Sequence, residues 1–216
     1  MKKYLLSLFC VLNLMSQDNL STSEELKSIE LINNYEESAL KDDPDAFFEL
    51  GKIYFEGKYV FKDYKKALEY FGAASYLGSI KGTYNLGLFY LSNQTNFYDP
   101  KKAFSYFLEL ARKGYAPAQN KVGMFLTTGI VIDKDYKEAV KWYEASSKQG
   151  YIQAQCNLAF MYASGKGVWQ NMGRAHAFAK PGYNKGYSLC KKVWEDFNLV
   201  KYKEDKGFKF KFYNQP

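Results

Sequence analysis

Residues 136–150 read Tyr136-Lys137-Glu138-Ala139-Val140-Lys141-Trp142-Tyr143-Glu144-Ala145-Ser146-Ser147-Lys148-Gln149-Gly150. Asp135, just before, is an N-cap residue type, and apolar or aromatic side chains then recur at helical spacing. Gly150 suits the left-handed turn that ends a helix. This stretch decides the fold because it recurs. Ala67, Ala103, Ala139 and Ala175 stand 36 residues apart, as do Gly78, Gly114, Gly150 and Gly186. Two more series share the period: Ala46, Gly82, Ala118, Ala154 and Gly51, Gly87, Gly123, Ala159. Four series with one period and no insertion mark an array of structural repeats.

Each series has a physical role. Asp63, Asp99, Asp135 and Asn171 are N-cap types ahead of a helical pattern. Pro100 and Pro117 suit the first turn of a helix. Gly57, Asn93, Gly129 and Gly165 tolerate the left-handed backbone after a helix ends. Each unit is therefore helix A, a short loop, helix B and a glycine turn. Small residues at Ala118, Gly123 and Ala139 let backbones approach, while Tyr70, Tyr106, Trp142 and Phe178, with Phe71, Phe107 and Tyr143, fill the space between. This packing rhythm accounts for most of the aromatic content of 19%.

One unit alone cannot bury its apolar face, so the expected fold is all-α: an α/α superhelical solenoid of four helix-pair repeats with helical caps. The reading assigns 1–16 to a signal peptide, 17–44 to an N-terminal cap, 45–186 to four repeats and 187–216 to a C-terminal cap and tail. The first cap is a lone helix over 30–42 with Leu31, Tyr35 and Ser38 inward and Glu25, Glu36, Glu37, Asp42 and Asp43 outward. The last is a helix over 188–200 carrying Leu189, Val193, Trp194 and Phe197. Beyond Lys201, Phe208, Phe210 and Phe212 alternate with Lys209 and Lys211, as an edge strand or a loose basic arm.

The pattern resembles Sel1-like repeats, relatives of the tetratricopeptide class. The matching residues are Ala154-Gln155-Cys156-Asn157-Leu158-Ala159-Phe160-Met161-Tyr162, then Gly165-Lys166-Gly167-Val168-Trp169-Gln170-Asn171, and the stretch 137–150. The resemblance implies a scaffold or adaptor that binds peptides or proteins. Two departures matter. Ser92-Asn93-Gln94-Thr95-Asn96 stands where a glycine-rich loop is expected, and Pro181 is expected to kink or stop its helix near Lys180. A cysteine-rich subgroup of the family is associated with β-lactam binding and hydrolysis, which makes a β-lactamase-like envelope protein the alternative reading. That subgroup carries paired cysteines in each repeat; this chain does not.

The start of the chain reads as an address. Lys2-Lys3, an apolar run from Tyr4 to Met15 and then Ser16 describe a secretory signal peptide, too short for a membrane span. The mature protein is therefore expected to be secreted or periplasmic. Export leaves Cys156 and Cys190, either a disulfide or two small buried apolar side chains; sequence supplies no geometry to decide. The formal charge of +7 is uneven: residues 17–45 hold nine acidic and two basic side chains, whereas the rest of the mature chain is basic. Acidic partners should favour that basic body. Nucleic acid is not expected, because base-stacking aromatics need one exposed face and these recur at core positions.

A search for chemistry finds no catalytic constellation, metal site or cofactor motif. The chain has one histidine and three cysteines without metal-ligand spacing. Ser188-Leu189-Cys190-Lys191 matches the first element of a serine β-lactamase by letter only. Cys156 and His176 fit a thiol–imidazole pair by residue type alone. Gly51 to Tyr59 fails as a phosphate loop in glycine spacing and in its last residue.

Binding then falls to the face of helix A opposite Ala46, Leu50 and Tyr54. It carries Phe48, Glu49 and Lys52; Tyr84, Asn85 and Leu88; Asn120, Lys121 and Met124; and Cys156, Asn157 and Phe160. In stacked helix pairs this face lines the concave groove. Asn or Lys beside Leu, Met or Phe suits a peptide or protein partner, offering hydrogen bonds and apolar pockets. Leu88, Met124 and Phe160 serve equally well as wedges between neighbouring A helices.

Overall fold

The computed structural model describes residues 22–205 and Gly207. The expected signal segment and the Phe/Lys tail lie outside the described residues. All ten α-helices among those residues belong to an all-α solenoid of helix pairs. Two compact units divide the chain, one ending at Tyr98 and the other beginning at Asp99.

The first unit holds α1 (Thr22–Ala39), α2 (Pro44–Glu56), α3 (Tyr64–Tyr76) and α4 (Ile80–Tyr90). The second holds α5 (Pro100–Arg112), α6 (Ala116–Thr128), α7 (Tyr136–Lys148), α8 (Ile152–Ser164), α9 (Met172–Asn184), α10 (Ser188–Asp196) and a 3₁₀ turn, Leu199–Lys201. Each B helix opens on its cap: the side chains of Asp63, Asp99, Asp135 and Asn171 accept from the amides of Lys66, Lys102, Glu138 and Arg174 at 2.9–3.1 Å. Each satisfies an amide that the helix itself cannot, worth about 1 kcal/mol. The glycine after each B helix is left-handed, with φ between 76° and 87°.

Helix A lies on helix B through a glycine. A Cβ added at Gly51 would stand 2.5 Å from Cδ1 of Phe71, and one at Gly123 would stand 2.6 Å from Cε1 of Tyr143. The Tyr143 ring is buried there, its hydroxyl 3.3 Å from Thr127 Oγ1, and burial pushes the phenol pKa up to about 12. In the fourth repeat the equivalent residues are Ala159 and Ala179, both fully buried.

Several local expectations are corrected. α1 begins earlier than expected and turns Ile32 inward, together with Ser28 and Ala39, while Leu31 is exposed. Ile32 joins Ala46, Leu50 and Ile53, so the partner α2 decides which face is apolar. Asn93 is not left-handed: α4 ends earlier, on Leu91, and Asn93 falls in a turn held by the Ser92 and Thr95 hydroxyls. α9 runs through Pro181 to Asn184. Pro181 is exposed in the last turn, and its missing N–H deprives only the Ala177 carbonyl. α10 stops at Asp196 with Leu189 exposed; Cys190, Val193 and the later Leu199 face inward.

Cys156 on α8 and Cys190 on α10 are joined by a disulfide, both ends buried. Gly182 on α9 leaves room for it, since a Cβ there would collide with Cys190 Sγ. The cap has further anchors. The His176 ring stands 4.6 Å from Trp194, which also stacks on Tyr183 at 4.8 Å. His176 Nδ1 lies 2.9 Å from the Leu199 carbonyl oxygen, and the Arg174 guanidinium pairs with Asp205 at 3.2 Å.

Two stability predictions follow from these contacts. Gly123→Ala should cost about 1–3 kcal/mol by overpacking against Tyr143. Adding Tyr143→Ala, which reproduces the alanine pair of the fourth repeat, should give a loss smaller than the sum of the single losses; urea midpoints across the double-mutant cycle measure this. The disulfide closes a loop of sequence separation 34. Its removal in a Cys156→Ala/Cys190→Ala chain should cost about 3–4 kcal/mol, read from urea unfolding followed by circular dichroism.

Candidate functional site

The helix A faces singled out in the sequence are partly open and partly closed. In the first unit, α2 presents Phe48, Glu49 and Lys52. Phe48 is buried, its ring 6.2 Å from that of Phe71, so it packs the helix pair. The ammonium groups of Lys52 and Lys81 lie over that ring at 5.4 and 5.8 Å. Lys52 also donates to Glu49 at 2.8 Å, and this bond raises the lysine pKa. Lys81 pairs with Asp45 at 3.4 Å. On α4, Tyr84 and Leu88 are half-buried, and Asn85 donates back to the Lys81 carbonyl at 2.9 Å.

In the second unit, α6 and α8 bring Asn120, Lys121, Met124, Asn157 and Phe160 to one side. Asn157 Nδ2 donates to Asn120 Oδ1 at 2.8 Å, tying the two helices together. Asn120 is buried, and Cys156 is consumed by the disulfide, so neither offers a free surface. Phe160 is half-buried, edge-on to Phe197 at 6.2 Å, with the Lys166 ammonium over it at 5.1 Å. Met124 is half-buried.

Lys121 differs from its equivalents. Glu49, Asn85 and Asn157 occupy its register position in the other repeats, and each has the partner just named. Lys121 is half-buried, and no hydrogen bond or ion pair holds its ammonium among the described residues. Burial lowers its pKa with no acidic side chain to offset the cost. The α6/α8 face therefore combines a partly desolvated cation, an amide pair with hydrogen-bonding capacity left, and half-buried apolar side chains.

The nucleophile patterns do not assemble. Cys156 is a disulfide half, and His176 faces the Leu199 carbonyl and Trp194. Lys191 is exposed on α10, 4.0 Å from Glu195. Sequence reasoning missed three exposed loop aromatics, Phe61, Phe97 and the 95% exposed Trp169, which share one register position and were legible in the 36-residue period. No helix among the described residues is long and apolar enough to cross a membrane.

Comparison with known proteins fits this architecture. The Sel1 repeat model matches residues 44–79, 80–115, 116–151 and 152–187. A protective antigen of uropathogenic Escherichia coli displaying an SLR fold superposes with a TM-score of 0.68 at 27% identity, covering 72% of this chain. This chain spans 33% of that protein's length. A Sel1 repeat protein from Oxalobacter formigenes superposes with a TM-score of 0.64 at 27% identity, covering 80% of this chain and 74% of its own. No curated protein matches the chain. With four consecutive repeat matches across most of its length, on the helix pairs described above, the chain belongs to the Sel1 repeat family.

Proposed function

We propose that the protein is an exported, non-enzymatic interaction scaffold whose α6/α8 face binds an acidic peptide segment of a partner protein. Sel1 repeats are generally interaction modules, and no nucleophile or base is assembled at the sites considered above. The observation that carries the reading is Lys121. A half-buried ammonium without a carboxylate is a standing cost, and a ligand carboxylate would offset it with a charge-assisted hydrogen bond. Asn157 beside it suits the peptide backbone, and Met124 and Phe160 suit apolar side chains. The α2/α4 face, with Glu49, Lys52, Tyr84, Asn85 and Leu88, supplies a second contact patch of mixed charge. Export is supported by the basic-then-apolar start of the chain and by the buried disulfide, since such bonds persist in oxidising compartments.

Lys121 gives this reading a test with two opposing readouts. Its pKa is lowered in the folded state, so the unfolded chain binds more protons between the folded value and 10.5. Stability therefore rises with pH through that window, and at neutral pH the charge destabilises the fold. Lys121→Met should raise stability at pH 7 by about 0.5–1 kcal/mol. The same change should weaken binding to acidic peptides on an array by about tenfold or more. Asn157→Ala should weaken binding with no gain in stability. Acidic-peptide binding that Lys121→Met leaves unchanged would refute the assignment. For export, the mature chain purified from its native cell should begin at Gln17, and its two cysteines should resist alkylation until reduced.

A further inference from the structure

In the second unit a cavity of about 340 Å3 opens between α5 and α7, floored by α6. Phe104 and Leu108 wall it from α5, Leu126 from α6 and Trp142 from α7. The fourth repeat shows what the fold puts in the equivalent space. There Tyr162 holds the register position of Leu126, and Glu144 holds that of Leu108. The Tyr162 ring stacks on Phe178 at 5.7 Å and 10°, and its hydroxyl donates to Glu144 Oε1 at 3.5 Å. In the third repeat both members of that pair differ. Trp142 holds the register position of Phe178, but Leu126 offers it no ring, and Leu108 stands where the hydroxyl's acceptor would be. What remains is an apolar space beside a half-buried indole. Its volume falls in the range of small-molecule sites, about 300–1,000 Å3.

Two ionisable side chains border the cavity, Arg112 and Glu138. Glu138 is already bound by Lys141 at 2.8 Å, and the nearby Glu109 by Lys113 at 2.7 Å. Arg112 is exposed, and no hydrogen bond or ion pair holds its guanidinium among the described residues. The charge left over at the cavity is therefore positive. It stands at the mouth, one turn of α5 beyond Leu108, about 6 Å along the helix. We propose that this cavity binds a small aromatic carboxylate, its ring stacked on Trp142 over Leu126 and its carboxylate on Arg112. A ring seated there completes the aromatic pair that the fourth repeat builds from its own residues, and it gains burial and the stack together. The planar guanidinium receives a carboxylate through two parallel hydrogen bonds. Size and spacing agree with this ligand. A dry cavity of about 150 Å3 takes benzene, so this larger one takes a ring with a short acid arm. An arm of about two carbons carries the carboxylate from a ring beside Leu108 to Arg112. The site uses none of the side chains of the α6/α8 face and does not depend on that face's function.

Calorimetric titration of the full chain with 3-phenylpropionate tests the proposal, with melting temperature as a second readout. The acid should bind one to one and raise the melting temperature. The uncharged 3-phenylpropanamide should bind about tenfold more weakly, the weight of one charge-assisted pair at the mouth. Arg112→Gln, at an exposed position, should bring the acid down to the amide and leave the amide unchanged. Leu126→Phe returns a ring to the cavity, so it should keep or raise the melting temperature of the free chain and weaken acid and amide alike by about tenfold or more. If Leu126→Phe fails to fold, Arg112→Gln still decides. Equal affinity for acid and amide, or an acid affinity that Arg112→Gln leaves untouched, would overturn the proposal. So would the cation 3-phenylpropylamine binding as tightly as the acid, or millimolar acid giving neither heat nor a melting shift. A peptide ending in phenylalanine that binds far more tightly than the free acid would overturn it in favour of a chain terminus as occupant.

Discussion

The contact on which the rest depends is a ring of helix B packed directly against the backbone of helix A. It exists because Gly51 and Gly123 have no Cβ; one placed there would stand 2.5 and 2.6 Å from the rings of Phe71 and Tyr143. That approach sets the distance between the two helices, and the ring then buries itself against small neighbours such as Ala67 and Ala139, both fully buried. The fourth repeat meets the same steric limit from the other side. Ala159 adds a methyl where the glycine was, and Ala179 gives up the ring.

What could be read from the sequence was what depends on short range. An N-cap carboxylate reaches an amide three residues away, so Asp63, Asp99 and Asp135 announce their helices unaided. The misreadings lie where a distant element decides. On α1 a one-residue error rotates the face by about 100°, enough to exchange Leu31 for Ile32. The choice is made by α2, through Ala46, Leu50 and Ile53. Local rules make Pro181 a kink or a stop because they count its missing N–H. They do not price the packing that holds the following turn, where Gly182 lies against Cys190. The pairing of Cys156 with Cys190 has no local signal at all, since α10 is brought to α8 by the whole last repeat.

The candidate site was legible by position and not by exposure. A helical wheel divides helix A into an inner and an outer face. In a stack the helix also meets the neighbouring pair, and that third contact closes part of the outer face. Asn120 is buried for this reason, spending its carbonyl on Asn157. Phe48 is closed within its own pair, against Phe71 of α3. What stays open is what the neighbouring pair fails to cover.

In a repeat protein the array itself supplies the control for each position. Packing makes the same demand at equivalent places, so a departure that a neighbour compensates, such as Ala159 with Ala179, needs no further cause. A departure left uncompensated forgoes stability that the other repeats retain. Lys121 is of this second kind. At Lys121 a charge is buried where the equivalent residues have partners.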